Sequence, residues 1–355
     1  MSKALDLEML AEGLVAWYRR TRRDLPWRRS KDPYAIWVSE VMLQQTRVQR
    51  RVIDRYEQFL DRFPDPASLA AAGDDDLLSA WSGLGYYRRA RLMREAARRM
   101  VAEHRGRVPE DPDDFGRLPG VGAYTRGAVL SIAHDLPLAA IDGNTERVLA
   151  RLLALEGDPR RKQGRARLRL FIGGLHARER PGEINQALME LGALLCLPAR
   201  PRCAECPWSE PCRASGSGRV AEFPQLGPRA RMTDVASAVV LVRREGSSLA
   251  RRVPAGEVNE GQLGLPGLGL PLARAEDLER HLEDEHGLTG RLSKPLASFL
   301  HTITRYRIRI RVHALCPPPE QAGRGLVYAD PDDPALPWTT VARKAHSLAR
   351  RKTGL

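Results

Sequence analysis

Four cysteines lie within the stretch CLPARPRCAECPWSEPC, residues 196–212, with the spacing C-x6-C-x2-C-x5-C. They are Cys196, Cys203, Cys206 and Cys212. Four thiolates this close in sequence suit either an iron–sulfur cluster or a zinc ion. The first gap departs from the paired C-x2-C pattern of many zinc sites, which favours iron. A disulfide pairing is less favoured, because Cys316 stands alone and nothing in the chain suggests secretion.

The length and charge of the chain restrict its class. A chain of 355 residues can form two domains with cores of their own. The net charge of +13 and the pI of about 10.0 favour a polyanionic partner such as nucleic acid, although a GC-rich genome also enriches arginine over lysine. We find no apolar run of ~18 residues and no apolar signal segment. We therefore expect no transmembrane helix, and a location in the cytoplasm of a cell without compartments or in a nuclear or organellar lumen.

A helix is predicted from Asp32-Pro33 to about Thr46, because Asp is a good N-cap and Pro fits the first helical position. Glu40 lies among apolar neighbours on this helix. A desolvated carboxyl group has a raised pKa and can serve as a general acid near neutral pH. Taken alone, however, the residues favour a glutamate on the solvent-exposed face of an ordinary helix.

Two glycine-containing turns follow in the helical half of the chain. Residues 81–87, WSGLGYY, precede several arginines, which suits a wedge into stacked bases or a plain turn beside core aromatics. Residues 118–125, LPGVGAYT, are typical of a helix-hairpin-helix turn whose backbone N–H groups approach a phosphate. Asp142 comes next, at the start of another helix, where an aspartate is most often an N-cap.

The C-terminal part has a different pattern. Gly, Ser and Pro residues mark a linker over residues 215–231. Beyond it, the apolar alternation of Ala236 to Val242 and of Arg305 to Val312 predicts strands, and Ala275 to His286 predicts a helix. The chain therefore combines an all-α part with an α+β part, and we expect the basic end to be a frayed tail.

These segments, in this order, resemble the endonuclease III and MutY families of DNA glycosylases. The resemblance implies an all-α helix-hairpin-helix glycosylase domain that carries a [4Fe–4S] cluster, followed by an α+β Nudix-like domain. It divides the chain into a catalytic domain over 1–214 with the hairpin at 114–134 and the cluster loop at 196–212, a linker over 215–231, the Nudix-like domain over 232–343, and a basic tail over 344–355.

Residues 280–288, RHLEDEHGL, look like a decayed Nudix helix. His281 and Asp284 stand at two of the acidic positions, so too few carboxylates remain to hold magnesium and we expect no pyrophosphohydrolase activity. In the MutY family such a domain recognises 8-oxoguanine. By resemblance, Thr304 and Arg305 can still contact that base, while Ile303 replaces an aromatic wedge.

The absence of a lysine between Lys31 and Lys162 separates the two families. Endonuclease III-type enzymes attack the sugar with a lysine after the hairpin, where this chain has Tyr124, and a Schiff base needs an amine. A monofunctional adenine glycosylase of the MutY type is therefore favoured. The resemblance assigns catalysis to Glu40 and Asp142, with Tyr124 and Asn144 as positioning residues. It assigns the adenine pocket to Trp27, Arg28 and Gln186, and DNA contacts to Gln45, Leu84, Tyr86, Gly120, Gly122 and Thr125.

The expected partner is double-stranded DNA with adenine opposite 8-oxoguanine or guanine, bound by a monomer at the nucleoid of a bacterial cytoplasm. Three alternatives stay open. They are a bifunctional glycosylase for oxidised pyrimidines, a non-catalytic DNA-damage sensor that uses its cluster for redox signalling, and a zinc-stapled DNA-binding protein.

Overall fold

The computed structural model describes residues 5–44, 48–228, 231–268, 275–303, 305–333 and 335–353. The chain divides into two compact units. The first comprises residues 1–71 and 91–228, and the second comprises residues 72–90 and 229–355. None of the described helices combines the length and the apolar character needed to cross a lipid bilayer.

Regular structure in the described part of residues 5–228 is helical, as predicted. The elements are α1 Leu7–Thr21, α2 Pro33–Leu43, α3 Arg50–Arg62, α4 Pro66–Ala71, α5 Asp74–Ala80, α6 Arg88–Glu103, α7 Pro112–Gly116, α8 Ala123–His134, α9 Gly143–Leu153, α10 Lys162–His176, α11 Pro181–Leu194 and α12 Arg213–Gly216. A short 3-10 turn, Pro26–Arg28, precedes α2, and others lie at Cys203–Glu205 and Val220–Glu222.

Helix α2 has no solvent-exposed face. Asp32 caps it by accepting hydrogen bonds from the backbone N–H groups of Tyr34 (3.0 Å) and Ala35 (3.3 Å), as the Asp-Pro start predicted. Every residue from 34 to 42 is buried, and α8 packs along the helix. A helix that is apolar all round belongs inside a core. Glu40 is therefore an interior carboxyl group, and the expectation of a solvent-exposed glutamate is wrong.

Helix α11 connects the parts of the first unit, because it packs against α1, α8 and α9. The approach of α11 to α9 is close at Gly192, where an added Cβ would lie 2.6 Å from the Cβ of Asn144. Real Cβ atoms do not come that near another carbon, so a side chain at this position would displace the first turn of α9. The absence of a side chain at Gly192 thus allows the first turn of α9 to pack closely against α11.

The first part of the predicted linker is fixed to the first unit. Residues there make hydrogen bonds to the first unit: the backbone oxygen of Phe223 accepts from Arg151 Nε (3.0 Å), the side-chain Oε1 of Gln225 accepts from Gly157 N (2.8 Å), and the backbone N–H of Gly227 donates to Asp158 Oδ2 (3.0 Å). A flexible spacer would not be held at several points along its length. The predicted linker boundaries remain a prediction, but the chain is ordered against this unit up to Gly227.

The second unit is α+β, as predicted. Its strands are β1 Thr233–Val240, β2 Arg243–Arg244, β3 Ser247–Arg252, β4 Leu263–Gly264, β5 Arg291–Leu292, β6 Ala297–Ile303, β7 Tyr306–His313, β8 Leu315–Cys316 and β9 Leu326–Ala329, with helices α13 Ala275–His286 and α14 Thr340–Thr353. Strand β7 pairs in parallel with β1 and antiparallel with β6, while β3 pairs antiparallel with β2, β4 and β9.

Alternating side chains of β1 enter two different apolar cores. Ala238 and Val240 pack in a cluster with Leu278 and Leu282 of α13, whereas Val239 packs in a cluster that includes residues of α14. The period of two along a strand places successive side chains on opposite faces of the sheet. The sheet is thus covered by a helix on each face.

The predicted frayed tail is wrong. The chain from Thr340 to Thr353 forms α14, and Ala342, Ala345 and Ala349 are buried in the core of the second unit. Their spacing of three, four and seven residues defines one helix face. Several of the other positions are arginine or lysine, and these charged residues made the segment resemble a solvated tail.

Candidate active site

A cavity of about 870 Å³ lies in the first unit. All seven residues predicted for catalysis or for the adenine pocket line it: Glu40, Asp142, Tyr124, Asn144, Trp27, Arg28 and Gln186. They come from α2, α8, α9, α11 and the turn Pro26–Arg28. The fold therefore collects into one cavity residues that are up to 159 positions apart in the sequence.

Glu40 is the protonatable group of this cavity. Its side chain is buried, and burial raises the pKa of the carboxyl group to about 7, because a carboxylate loses its hydration there. Nearby Asp142 raises the pKa further, while a hydrogen bond from Tyr124 and the charge of Arg28 lower it. A carboxyl group with a pKa near 7 carries its proton in a large fraction of molecules at neutral pH, as a general acid must.

Tyr124 lies where the resemblance had implied a residue that positions Glu40. Its hydroxyl donates a hydrogen bond to Glu40 Oε2 at 2.5 Å and lies 3.2 Å from Met189 Sδ. Burial and the neighbouring carboxylates raise the pKa of Tyr124 well above its usual value, so this phenol keeps its proton. It can orient Glu40, but it offers no amine for attack on a sugar.

Asp142 both caps α9 and faces the cavity. Its Oδ1 accepts from the backbone N–H of Thr145 at 2.7 Å, which is the N-cap bond, and its Oδ2 accepts from Asn144 Nδ2 at 3.0 Å. The N-terminus of a helix favours a negative charge. One oxygen of the carboxylate therefore makes the N-cap bond while the other bonds to Asn144 in the cavity, so the capping role is compatible with a catalytic role, which stays a prediction.

Arg147 joins this carboxylate to the cysteine loop. Its Nη2 donates to Asn144 Oδ1 (2.9 Å) and to Gly192 O (2.9 Å), and its Nε donates to Cys196 O (2.7 Å). One guanidinium therefore fixes Asn144, which in turn fixes Asp142. The sequence interpretation missed Arg147, although its position one turn after Asn144 on the same helix was a usable signal.

Glu190 of α11 forms part of another wall of the cavity and was also missed. It accepts paired hydrogen bonds from Arg28 (3.1 and 2.8 Å) and from Arg23 (2.9 and 2.6 Å), and one from the backbone N–H of Arg23 (3.0 Å). Burial opposes its charge, but these donors prevail and hold the pKa of Glu190 at about 2. The signal in the sequence was a glutamate between the apolar residues Met189 and Leu191 of α11.

The remaining pocket residues supply a flat wall and an amide. Trp27 is buried and meets the Tyr56 ring edge-on at a centroid distance of 5.3 Å. Gln186 is oriented by two hydrogen bonds, from the Tyr18 hydroxyl to its Oε1 (3.0 Å) and from its Nε2 to Gly182 O (3.2 Å). A cavity with an aromatic wall, a fixed amide and opposed charges suits a planar polar base.

The four cysteines of the loop are free thiols that line one cavity of the first unit, separate from the one above. Apolar side chains form most of the remaining wall, and the Arg151 guanidinium approaches Cys196 Sγ to 3.4 Å. Among the residues that the structure describes, no three His, Cys, Asp or Glu side chains converge as a single-ion site requires. Four thiols around one space are a donor set that suits a thiolate-bound metal centre.

The residues predicted to contact DNA differ in their exposure to solvent. Gly120 and Gly122 of the hairpin are exposed, and Gly120 has a φ of +78°, which glycine adopts readily. The Thr125 side chain is buried and accepts from Gln44 Nε2 at 3.1 Å, so only its backbone remains for a phosphate. Gln45 lies outside the described residues.

In the aromatic turn of the second unit, Tyr86 is 51% exposed but Leu84 is only 6% exposed. Trp81 and Tyr87 are buried as well, so the plain-turn alternative is right for them. Tyr86 has a φ of +48°, and the Arg89 guanidinium lies 5.7 Å from the centroid of its ring. The Leu84 side chain is buried in this structure, and its predicted contact with DNA stays a prediction.

In the predicted 8-oxoguanine loop, Thr304 lies outside the described residues. Arg305 is exposed, its Nη2 donates to the Tyr306 hydroxyl at 3.2 Å, and its guanidinium lies 5.3 Å from the centroid of the Tyr306 ring. Ile303 packs against the core cluster below the sheet. An exposed cation stacked on a phenol remains available to a ligand.

Comparison with known proteins places these features in a family. Residues 38–172 match the family model described as "HhH-GPD superfamily base excision DNA repair protein". A Buchnera aphidicola (subsp. Acyrthosiphon pisum) adenine DNA glycosylase is 32% identical over 235 residues, which are 66% of this chain and 67% of that protein. The rat adenine DNA glycosylase is 42% identical over 235 residues, which are 63% of this chain and 45% of the rat protein.

The chain spans about half the length of several curated relatives it matches, or less. Among solved structures, a thermostable thymine-DNA glycosylase is 26% identical with a TM-score of 0.54, covering 59% of this chain and 97% of that one. The likeness of fold thus extends over nearly all of that glycosylase.

Proposed function

Because the chain belongs to the adenine DNA glycosylase family of the HhH-GPD superfamily, we propose that it is a monofunctional glycosylase that hydrolyses the N-glycosidic bond of adenine opposite 8-oxoguanine or guanine in DNA. The observation that carries this proposal is the pairing, in one cavity, of a buried Glu40 whose pKa lies near 7 with the carboxylate of Asp142. Two carboxyl groups in unlike environments are the means by which sugar hydrolases divide acid and charge-stabilising roles.

The reaction requires the adenine to leave the base stack and enter the cavity. Glu40 donates its proton to the base, which makes adenine a better leaving group, and the C–N bond then breaks through an oxocarbenium-like state. Asp142, held by Asn144 and by the helix N-terminus, stabilises the cationic sugar until water adds. Trp27, Arg28 and Gln186 would bind the base, and Glu190 holds Arg28 in place.

Tyr124 is what makes us propose a monofunctional enzyme. Strand cleavage through a Schiff base needs an amine, and the residue after the hairpin that reaches Glu40 is a phenol. The product would be an abasic site with an intact strand. This separates the proposal from the bifunctional alternative.

We also propose that the cysteine loop holds a [4Fe–4S] cluster through Cys196, Cys203, Cys206 and Cys212. Such a cluster would supply four iron–thiolate bonds that tie the loop together. No step of base excision depends on it. Brown colour and an iron content near four atoms per chain would support this assignment, whereas a colourless protein that contains zinc would support the zinc alternative.

The DNA contacts complete the proposal. We infer that the exposed hairpin glycines Gly120 and Gly122 approach a phosphate, that Tyr86 enters the base stack, and that Arg305 contacts the 8-oxoguanine strand. A monomer acting at the bacterial nucleoid is the simplest arrangement for these roles.

The test is a single-turnover assay on a duplex with one adenine opposite 8-oxoguanine, with and without alkali, beside Glu40→Gln. The proposal predicts breaks only after alkali and their loss in the variant. Breaks without alkali would indicate a lyase and favour the bifunctional alternative. Tight binding without any excision would favour the damage sensor.

A further inference from the structure

The Tyr124 hydroxyl has one hydrogen and two acceptors within reach. Glu40 Oε2 lies 2.5 Å from its oxygen and Met189 Sδ lies 3.2 Å from it. A phenol donates only one hydrogen bond at a time, and a thioether sulfur is a weak acceptor. The three side chains come from α2, α8 and α11, so the arrangement is set by the packing of three helices and not by local sequence.

We propose that Met189 is the alternate acceptor of the Tyr124 hydroxyl, and that it stabilises the protonated form of Glu40 by receiving that hydrogen when Glu40 carries its own. The exchange is a rotation of the hydroxyl about its C–O bond. No proton leaves Tyr124, and the only proton gained or lost belongs to Glu40. The inference deepens the proposed function, because it rests on Glu40 as the acid of that reaction.

The protonation state of Glu40 determines whether Glu40 or Met189 is the better acceptor for the Tyr124 hydroxyl. A carboxylate attracts the phenol hydrogen through a charge-assisted bond, which is stronger than any bond to a thioether. Once Glu40 is protonated, its own O–H can donate to the Tyr124 oxygen, and the phenol hydrogen must then turn elsewhere. Met189 Sδ then accepts the hydrogen bond from the Tyr124 hydroxyl, which would otherwise be a buried donor without an acceptor. The sulfur thus favours the acid form.

The other groups that face Glu40 act independently of residue 189. Asp142 at the start of α9 disfavours the charge of Glu40, and Arg28 in the turn Pro26–Arg28 favours it. Arg28 is itself paired with Glu190 of α11. These influences act through charge, so replacing a neutral thioether by a neutral alkyl chain leaves them in place.

Met189→Leu distinguishes this role from simple lining of the cavity. Leucine keeps the apolar volume, so a lining role predicts an unchanged titration of Glu40, or a higher pKa if leucine excludes more water. Loss of the second acceptor predicts the opposite sign. We expect the pKa of Glu40 to fall by about half a unit, as the loss of a weak hydrogen bond implies.

The measurement is an infrared titration of the Glu40 carboxyl band in the full-length protein without DNA, identified by its loss in Glu40→Gln. Met93→Leu is the matched control, because Met93 is a buried methionine outside the cavity lining, and it should leave the band unchanged. Circular dichroism verifies folding. If Met189→Leu does not fold, protein in which norleucine replaces methionine removes the sulfur and keeps the shape.

The decisive comparison repeats the substitution in a Tyr124→Phe background. The proposal predicts that Met189→Leu no longer shifts the Glu40 band there, because the hydroxyl that linked the two is gone. A shift that persists in the Tyr124→Phe background would overturn the proposal. An upward shift, or no shift, when Met189→Leu is made in the protein that keeps Tyr124 would overturn it as well. Because no DNA is present, these results are independent of whether the protein excises adenine, which the single-turnover assay decides separately.

Discussion

The two walls of the active-site cavity each present a buried glutamate, and the two carboxyl groups have opposite behaviour. Glu40 is 5% exposed with a pKa raised to about 7, and Glu190 is 1% exposed with a pKa lowered to about 2. Burial alone therefore does not decide the protonation state. Glu40 receives one hydrogen bond from a neutral phenol, whereas Glu190 receives paired bonds from two guanidinium groups.

This difference assigns the roles of the two walls. An uncharged carboxyl group can give a proton away, and a carboxylate paired with arginines can only hold position and accept hydrogen bonds. Arg28 belongs to both environments, since it bonds Glu190 and its charge lowers the pKa of Glu40. A glutamate on one wall is thus suited to proton donation, and a glutamate on the other is suited to holding arginine side chains in place.

The largest effect is expected on the Glu40 wall, from Asp142→Asn. The substitution keeps an oxygen for the Thr145 N–H cap but removes the charge that stabilises the sugar. We expect single-turnover excision to slow about a thousandfold while the unfolding free energy changes little. Asp6→Asn is the matched control, because Asp6 caps α1 in the same way outside the cavity. Equal rates for both variants would show that Asp142 is only a cap.

On the other wall, Glu190→Gln should destabilise the fold. It leaves the guanidinium groups of Arg23 and Arg28 facing a neutral amide, which we expect to lower the unfolding free energy by about 3 kcal/mol at neutral pH. Because the folded-state pKa of Glu190 is depressed, its contribution is complete above the unfolded-state value and is lost as the pH falls towards about 2. The difference between variant and wild type should therefore shrink in acid. Urea titrations at several pH values measure it, and a constant difference would contradict this assignment.

Glu40→Gln should change stability with the opposite pH dependence. The folded-state pKa of Glu40 is raised, so the wild type loses stability as the pH rises from the unfolded-state value through about 7. A glutamine avoids that loss, and we expect the variant to be more stable by about 2 kcal/mol near pH 8 and equal to the wild type in acid. Chemical denaturation over this range is the measurement. A variant that is less stable than the wild type at alkaline pH would contradict a raised folded-state pKa of Glu40.

The smallest effect is expected at Arg28, which serves both walls. Arg28→Lys keeps the charge but loses the forked donor, so we expect about 1 kcal/mol less stability and an unchanged pKa of Glu40. Arg29→Lys is its control, since the Arg29–Asp24 pair is exposed and should contribute little. Thermal unfolding of the two variants is the measurement. Equal shifts in Tm would show that the Arg28–Glu190 pair stabilises the fold no more than the exposed Arg29–Asp24 pair does.

The sequence contained the local part of this design. The Asp32-Pro33 start predicted α2, the glycines of residues 118–125 predicted the hairpin, and the family resemblance identified Glu40 and Asp142. The ion pairs of Glu190 could not be predicted from the sequence. Arg23 and Arg28 lie more than 160 residues away, and the helix pattern around Glu190 does not indicate which residues pair with it. Long-range pairs are created only when helices pack.

Helix α14 was missed for a related reason. Its buried residues are Ala342, Ala345, His346 and Ala349, and alanines between arginines resemble a solvated basic segment. Small side chains carry little hydrophobic signal, but they allow a helix to lie close to a sheet.

The most direct test of the central claim is the pH dependence of single-turnover adenine excision. If buried Glu40 is the acid, the rate should be level below about pH 7 and fall roughly tenfold per unit above it, because the protonated fraction falls in that way. Glu40→Gln should remove both the rate and the break. A rate that stays level from about pH 6 to pH 9, or that rises through neutrality, would contradict the assignment of Glu40 as the acid.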